Sequence, residues 1–157
     1  MDSTRISQLL AIPGAFFLGS YNATFSQNVM PHLYSLSPSE VTPIFEKIYH
    51  RGAATILPIA SIAIAANGYL SYESDTTKRR LYGTAAVLMV ATLPLTQIVM
   101  GPGINRLIEI SKDASLRSKT GTEAEVVKLL KSWVTFNSLR ASLHLTAGML
   151  SLYAALS

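Results

Sequence analysis

Four side chains near the C-terminal end are placed to do chemistry. Trp133, Asn137, Arg140 and His144 are spaced i, i+4, i+7 and i+11, so on a helix they fall within roughly a 60° arc of one face. That stripe combines an indole donor, a carboxamide, a guanidinium and an imidazole. These are polar groups that an ordinary membrane helix would avoid. The surrounding run is strongly apolar. A cation inside a membrane helix costs about 2.5–3.5 kcal/mol on insertion scales, and such residues usually face a bundle interior or a cavity. The competing explanations are ordinary: Arg140 snorkelling to headgroups, Trp133 in an interfacial belt, and His144 as a neutral core histidine. Asn137 and His144 on Arg140's own face favour the functional reading, because that stripe would be wasted on lipid.

The elements that must position these groups follow from composition. The 157 residues are 49% hydrophobic and only 14% charged, against a charged fraction nearer a quarter in soluble domains. The apolar residues cluster into long runs, which predict an all-α integral membrane four-helix bundle in a single domain, with spans at about 5–30, 50–72, 81–100 and 132–156. The opening apolar stretch lacks a basic leader and a small-residue cleavage site, so it reads as a retained first span. Ser3 or Thr4 caps that helix and Pro31 ends it. A loop from Pro31 to about Val41 follows, with Thr42 capping the next helix ahead of Pro43. Glu73–Arg80 forms a charged hairpin. Gly101-Pro102-Gly103 breaks the third span, leaving Asn105 to cap its broken end. Thr122 and Glu125 form a capping box for the last helix.

Several functions are excluded or disfavoured at this stage. Cysteine is absent, so there is no disulfide, thiolate metal site or thiol relay. The net charge of +4 is dispersed through loops, which suits anionic lipid and argues against nucleic acid as a partner. The three histidines show no metal-ligand spacing, so no metal site is expected. His50 reads as a water-side residue at the mouth of the second span. Neither membrane orientation nor oligomeric state follows from the residues.

Three short signatures, in order along the chain, carry a resemblance. They are Gly19 with Ser26 and Pro31-x-Leu33, Thr96 with Pro102-x-x-Asn105-x-Leu107, and Trp133-x-x-x-Asn137-x-x-Arg140. On these the chain resembles the small four-helix membrane family that includes the fungal anthrone oxygenases. The resemblance implies an endoplasmic-reticulum membrane protein of polyketide secondary metabolism that oxidises an anthrone to an anthraquinone. It further implies O2 as co-substrate and no haem, flavin or metal. The substrate would be a flat, hydrophobic aromatic molecule. On that reading His144 or His32 is the base, Arg140 and Asn137 hold the oxyanion, and Trp133 and Tyr34 stack on the rings. Asn105, Asn22 and Gln97 are further substrate-binding candidates. Two rivals remain open: a cyclase or isomerase using the same groups without O2, and a non-catalytic scaffold or small transporter in which Arg140, Asn137 and Gln97 only join helices.

Overall fold

A computed structural model describes residues 2–157. Its order is α1 (Ser3–Thr24), a π-helical turn (Phe25–Val29), a 3-10 turn (Met30–Leu33), α2 (Pro38–Glu73), α3 (Thr76–Pro94), a second π-helical turn (Leu95–Met100), α4 (Gly101–Lys112), α5 (Ala114–Arg117) and α6 (Thr122–Leu156). No strand occurs among the described residues. α1 packs against α2 and α6, and α3 packs against the same two, so the long helices stand side by side around a common interior. Two rods, Pro38–Glu73 and Thr76–Lys112, are long and apolar enough to cross a membrane.

Small residues set the spacing of the rods. Ala15, Ala60, Ala63, Ala85 and Ala147 line the middle of the interior around Leu18 and Met89, letting backbones approach closely. Gly19 is the tightest point: a Cβ there would lie 2.6 Å from Leu145 of α6. Below this layer Asn67 joins helices, its Oδ1 accepting from the Ser151 hydroxyl at 2.7 Å. Above it lies a different kind of core. Met30, Phe45, Met100, Ile104, Leu107, Ile110, Val126, Leu130 and Trp133 pack together, so the first turns of α2, all of α4 and the start of α6 form a cap on one end of the rods. Polar bonds lace the cap's surface: Arg106 Nε meets Glu125 at 2.7 Å, and the Ser111 hydroxyl donates to Glu46 at 2.7 Å.

The cap corrects several sequence expectations. The loop after α1 is only Tyr34–Ser37, because Ser37 is the N-cap of α2 and not Thr42. Glu40 accepts from the Ser37 backbone N–H at 3.1 Å, and Pro38 fills the first helical position, where a missing N–H does no harm. Thr42 is buried inside the helix and donates to the Pro38 carbonyl at 2.8 Å. Gly101-Pro102-Gly103 does not break the third rod. The π-helical turn Leu95–Met100 takes up the disturbance ahead of Pro102, and α4 continues. Asn105 is therefore an exposed residue within α4 and caps nothing. α1 behaves alike at Pro31, passing through a π-helical and then a 3-10 turn; its N-cap is Asp2, not Ser3 or Thr4. Asp75 caps α3 from Thr76, its carboxylate accepting from the N–H groups of Thr77 and Lys78, so Lys78–Arg80 lie on helix. Gly121, at φ 87°, precedes α6 with no capping box; Thr122 instead bonds the Leu116 carbonyl at 2.8 Å.

Candidate active site

Between the cap and the alanine-rich layer the rods part around a cleft that encloses about 780 Å³ of empty space when its open mouth is counted. Each rod contributes wall. α1 gives Tyr21, Asn22 and Phe25; α2 gives Ile48 through Ala60 on one face; α3 and its π-helical turn give Thr92, Leu93, Thr96 and Gln97; α6 gives Trp133, Asn137 and Arg140. Aromatic rings order the wall. Tyr21 and Phe25 stand 4.9 Å apart between centroids, and Trp133 sits edge-on to Phe45 at 5.7 Å.

The stripe on α6 is buried as one unit: Trp133 and Arg140 are each 9% exposed, Asn137 and His144 each 1%. Asn137 is fixed by α1. Its amide nitrogen donates to the Asn22 carbonyl oxygen and to Ser26 Oγ, both at 2.9 Å. Because a backbone carbonyl only accepts, this pairing settles which end of the amide faces α1. Both amide protons are thereby engaged. The free atom is Oδ1, buried without a partner, so Asn137 offers an acceptor and not the oxyanion donor that the family resemblance implied. Asn22 is held in turn, donating from Nδ2 to the Leu18 carbonyl at 2.9 Å.

The remaining stripe atoms have unmet hydrogen-bonding capacity. Trp133 Nε1, Arg140 Nε and both ring nitrogens of His144 are buried without partners. Among the described residues Arg140 forms no ion pair. Native interiors leave few polar groups so, and each asks for a reason. Two donors and one acceptor in the wall of one cleft can hold a ligand that carries oxygen acceptors beside a hydroxyl.

The other expected residues divide. Asn22 and Gln97 line the cleft. His144 lies one helical turn beyond Arg140 and is not among the residues that line the cleft. His32 is exposed on the 3-10 turn, and Tyr34 packs half-buried against the cap with Lys131 Nζ 5.8 Å from its ring centre. Neither they nor Asn105 belong to the cleft wall. Sequence reasoning overlooked Tyr21, Phe25 and Tyr49. The i, i+4, i+8 spacing of Phe17, Tyr21 and Phe25 was a readable signal of an aromatic face. No three His, Asp or Glu side chains gather as a metal site among the described residues.

Long apolar helices around an aromatic-walled cleft with unpaired polar atoms define an all-helical protein with a candidate ligand site. Residues 45–150 match the sequence profile of the family described as anthrone oxygenase. Anthrone oxygenase encC of Aspergillus fumigatus is 31% identical over 166 aligned residues, covering 95% of this chain and 92% of that protein. No solved structure matches. The chain belongs to the anthrone oxygenase family.

Proposed function

We propose that this protein oxidises an anthrone-type polyketide to an anthraquinone with O2, as a membrane-embedded four-helix enzyme of secondary metabolism. The observation that carries the reading is Arg140, a nearly buried guanidinium without an ionic partner in the wall of an aromatic cleft. The curated relative's name supplies the reaction class. Support for the membrane setting comes from the rods' outer faces. Only 28% and 22% of the residues in the two most apolar stretches are buried, the reverse of a soluble core helix. Ile62, Val87, Ile98 and Met149 are exposed. The endoplasmic reticulum membrane is the compartment this reading assigns.

The chemistry needs little from the protein beyond a base and a site for charge. Loss of a proton from the central methylene gives an aromatic, phenolate-like anion. That anion transfers an electron to O2, the radical pair combines to a peroxide anion at the same carbon, and this takes the proton back from the base as the hydroperoxide. Loss of water then leaves the quinone carbonyl, so one O2 enters and one water leaves. The anion is itself the reductant, so the reading requires no redox cofactor. Arg140 and the Trp133 N–H stabilise the oxyanion, where donors in a low-dielectric site count for most. Asn137 Oδ1 accepts from a substrate hydroxyl. His144, set one turn beyond Arg140, takes the methylene proton through one bridging water at its unprotonated ring nitrogen, which has no partner in the protein. Tyr21, Phe25 and Trp133 flank the flat rings.

The test is oxygen uptake and product analysis with emodin anthrone given to membranes holding the protein or its His144→Ala variant. Conversion above the spontaneous background, lost in the variant at equal protein level, is the expected result. Conversion without O2 consumption would move the assignment to a cyclase or isomerase. No conversion by folded protein would remove the oxygenase reading.

A further inference from the structure

The cleft is closed along the rods and open across them. At one end the cap seals it, with Phe45, Met100 and Ile104 all at most 4% exposed. At the other end the alanine-rich layer seals it, with Ala63, Met89 and Ala147 fully buried. On the flank between α1 and α2 Gly52 is buried, and the Tyr21 hydroxyl stands beside it, 4.0 Å from where a Cβ would be. The flank between α2 and the third rod differs. There the lining residues are themselves surface residues: Leu57 is 54% and Leu93 42% exposed, and Gln97 of the π-helical turn is exposed beside them. This opening lies on the same apolar exterior as Ile62 and Ile98.

We infer that the ligand reaches the cleft sideways out of the lipid phase, through a portal between α2 and the third rod bounded by Leu57, Leu93 and Gln97. The inference rests on the membrane placement and ligand site proposed above. Leu57 and Leu93 pass an apolar ring system, and neither end offers water a comparable path. Gln97 is the polar group at this threshold. Its amide can donate to a carbonyl and accept from a hydroxyl, giving an oxygenated ring a first polar contact before Trp133 and Arg140. The portal therefore selects molecules that dissolve in acyl chains yet carry oxygen at one edge. The π-helical turn at this rim has the wider helical geometry that recurs at functional sites.

The sole tryptophan lines the cleft, so its fluorescence reports occupancy. Purified protein in phosphatidylcholine vesicles is mixed with danthron, a dihydroxyanthraquinone, and Trp133 quenching is followed by stopped flow. In the wild type the association rate follows the danthron-to-lipid ratio and is indifferent to vesicle dilution at fixed ratio. In the Leu57→Phe, Leu93→Phe double variant the rates of binding and release fall together, by on the order of tenfold, as expected for a gate that leaves the bound state in place. Met149→Phe, on the outer face of α6, leaves both rates alone. An association rate set by aqueous danthron, or a double variant with wild-type rates, overturns the portal while leaving the oxygenase reading to its own assay. Absence of any quenching removes the ligand site, and the portal with it.

Discussion

Replacing Arg140 by Met separates activity from stability in opposite directions. The guanidinium is 9% exposed, its Nε has no hydrogen-bond partner and no carboxylate pairs with it. The folded protein therefore bears a desolvation penalty that no partner offsets. Insertion scales put a central membrane arginine at about 2.5–3.5 kcal/mol, and the lining position returns part of that through the cleft. Arg140→Met, which keeps the apolar stem, should accordingly raise the melting temperature, by a stability gain of roughly 1–2 kcal/mol after that discount. Activity moves the other way. Loss of one preorganised oxyanion donor costs about 2.7–4 kcal/mol of transition-state stabilisation, or roughly 10²–10³ in kcat. Arg140→Lys should recover little, because an ammonium does not reproduce the planar fork. The assay pairs thermal unfolding in detergent with oxygen uptake on emodin anthrone. An unfolding temperature that drops, with kcat intact per folded molecule, would refute the reasoning and make Arg140 a structural joint.

Three further outcomes follow from the packing. Asn137→Leu strands the Asn22 carbonyl and Ser26 hydroxyl, and should destabilise the fold by about 1–3 kcal/mol in thermal unfolding. Gly19→Ala forces a methyl group into Leu145 and should cost about 1–3 kcal/mol by the same measurement; an unchanged melting temperature would mean that α1 and α6 can part freely. The hydrogen bond from Arg106 holds the Glu125 carboxyl below the usual carboxylate range. A depressed folded-state value means that the contribution is complete above the unfolded value of about 4.3 and disappears as pH falls through the folded one. Melting temperature plotted against pH should therefore lose a modest acid-side decline in Glu125→Gln.

The stripe on α6 was legible because nothing interrupts that helix from Thr122 to Leu156, so angular arithmetic applies over its whole length. Arithmetic gave the face and not the chemistry of each atom. That Asn137 presents an acceptor depends on Asn22 and Ser26, more than a hundred residues away in the chain, and only tertiary contact supplies them. The same limit removed His32 and Asn105 from the wall. Both stand near the right rods, but His32 is exposed on a turn and Asn105 points out of α4. The third rod was misread for a local reason. Pro102 with two flanking glycines resembles a stop, yet the N–H that proline lacks and the crowding of its ring against the preceding turn are both taken up by the wider turn just before it, which lets the helix proceed. Ser37 and Glu40 carried the true start of α2 in plain view, with the N-cap five residues before the Thr42 that drew the assignment.

That wider turn makes the third rod a counting device. Each residue of an α-helix turns the chain by about 100° and advances it about 1.5 Å. Removing a single residue between Leu95 and Met100 would therefore swing all of α4 by more than a quarter turn. Arg106 would leave Glu125, and Ile104, Leu107 and Ile110 would rotate out of the cap they fill. Length variation should consequently be tolerated in the turn between Ser118 and Gly121 and rejected at the rim of the portal, where deleting Ile98 or Val99 would misalign the seal over the cleft without removing any residue that lines it.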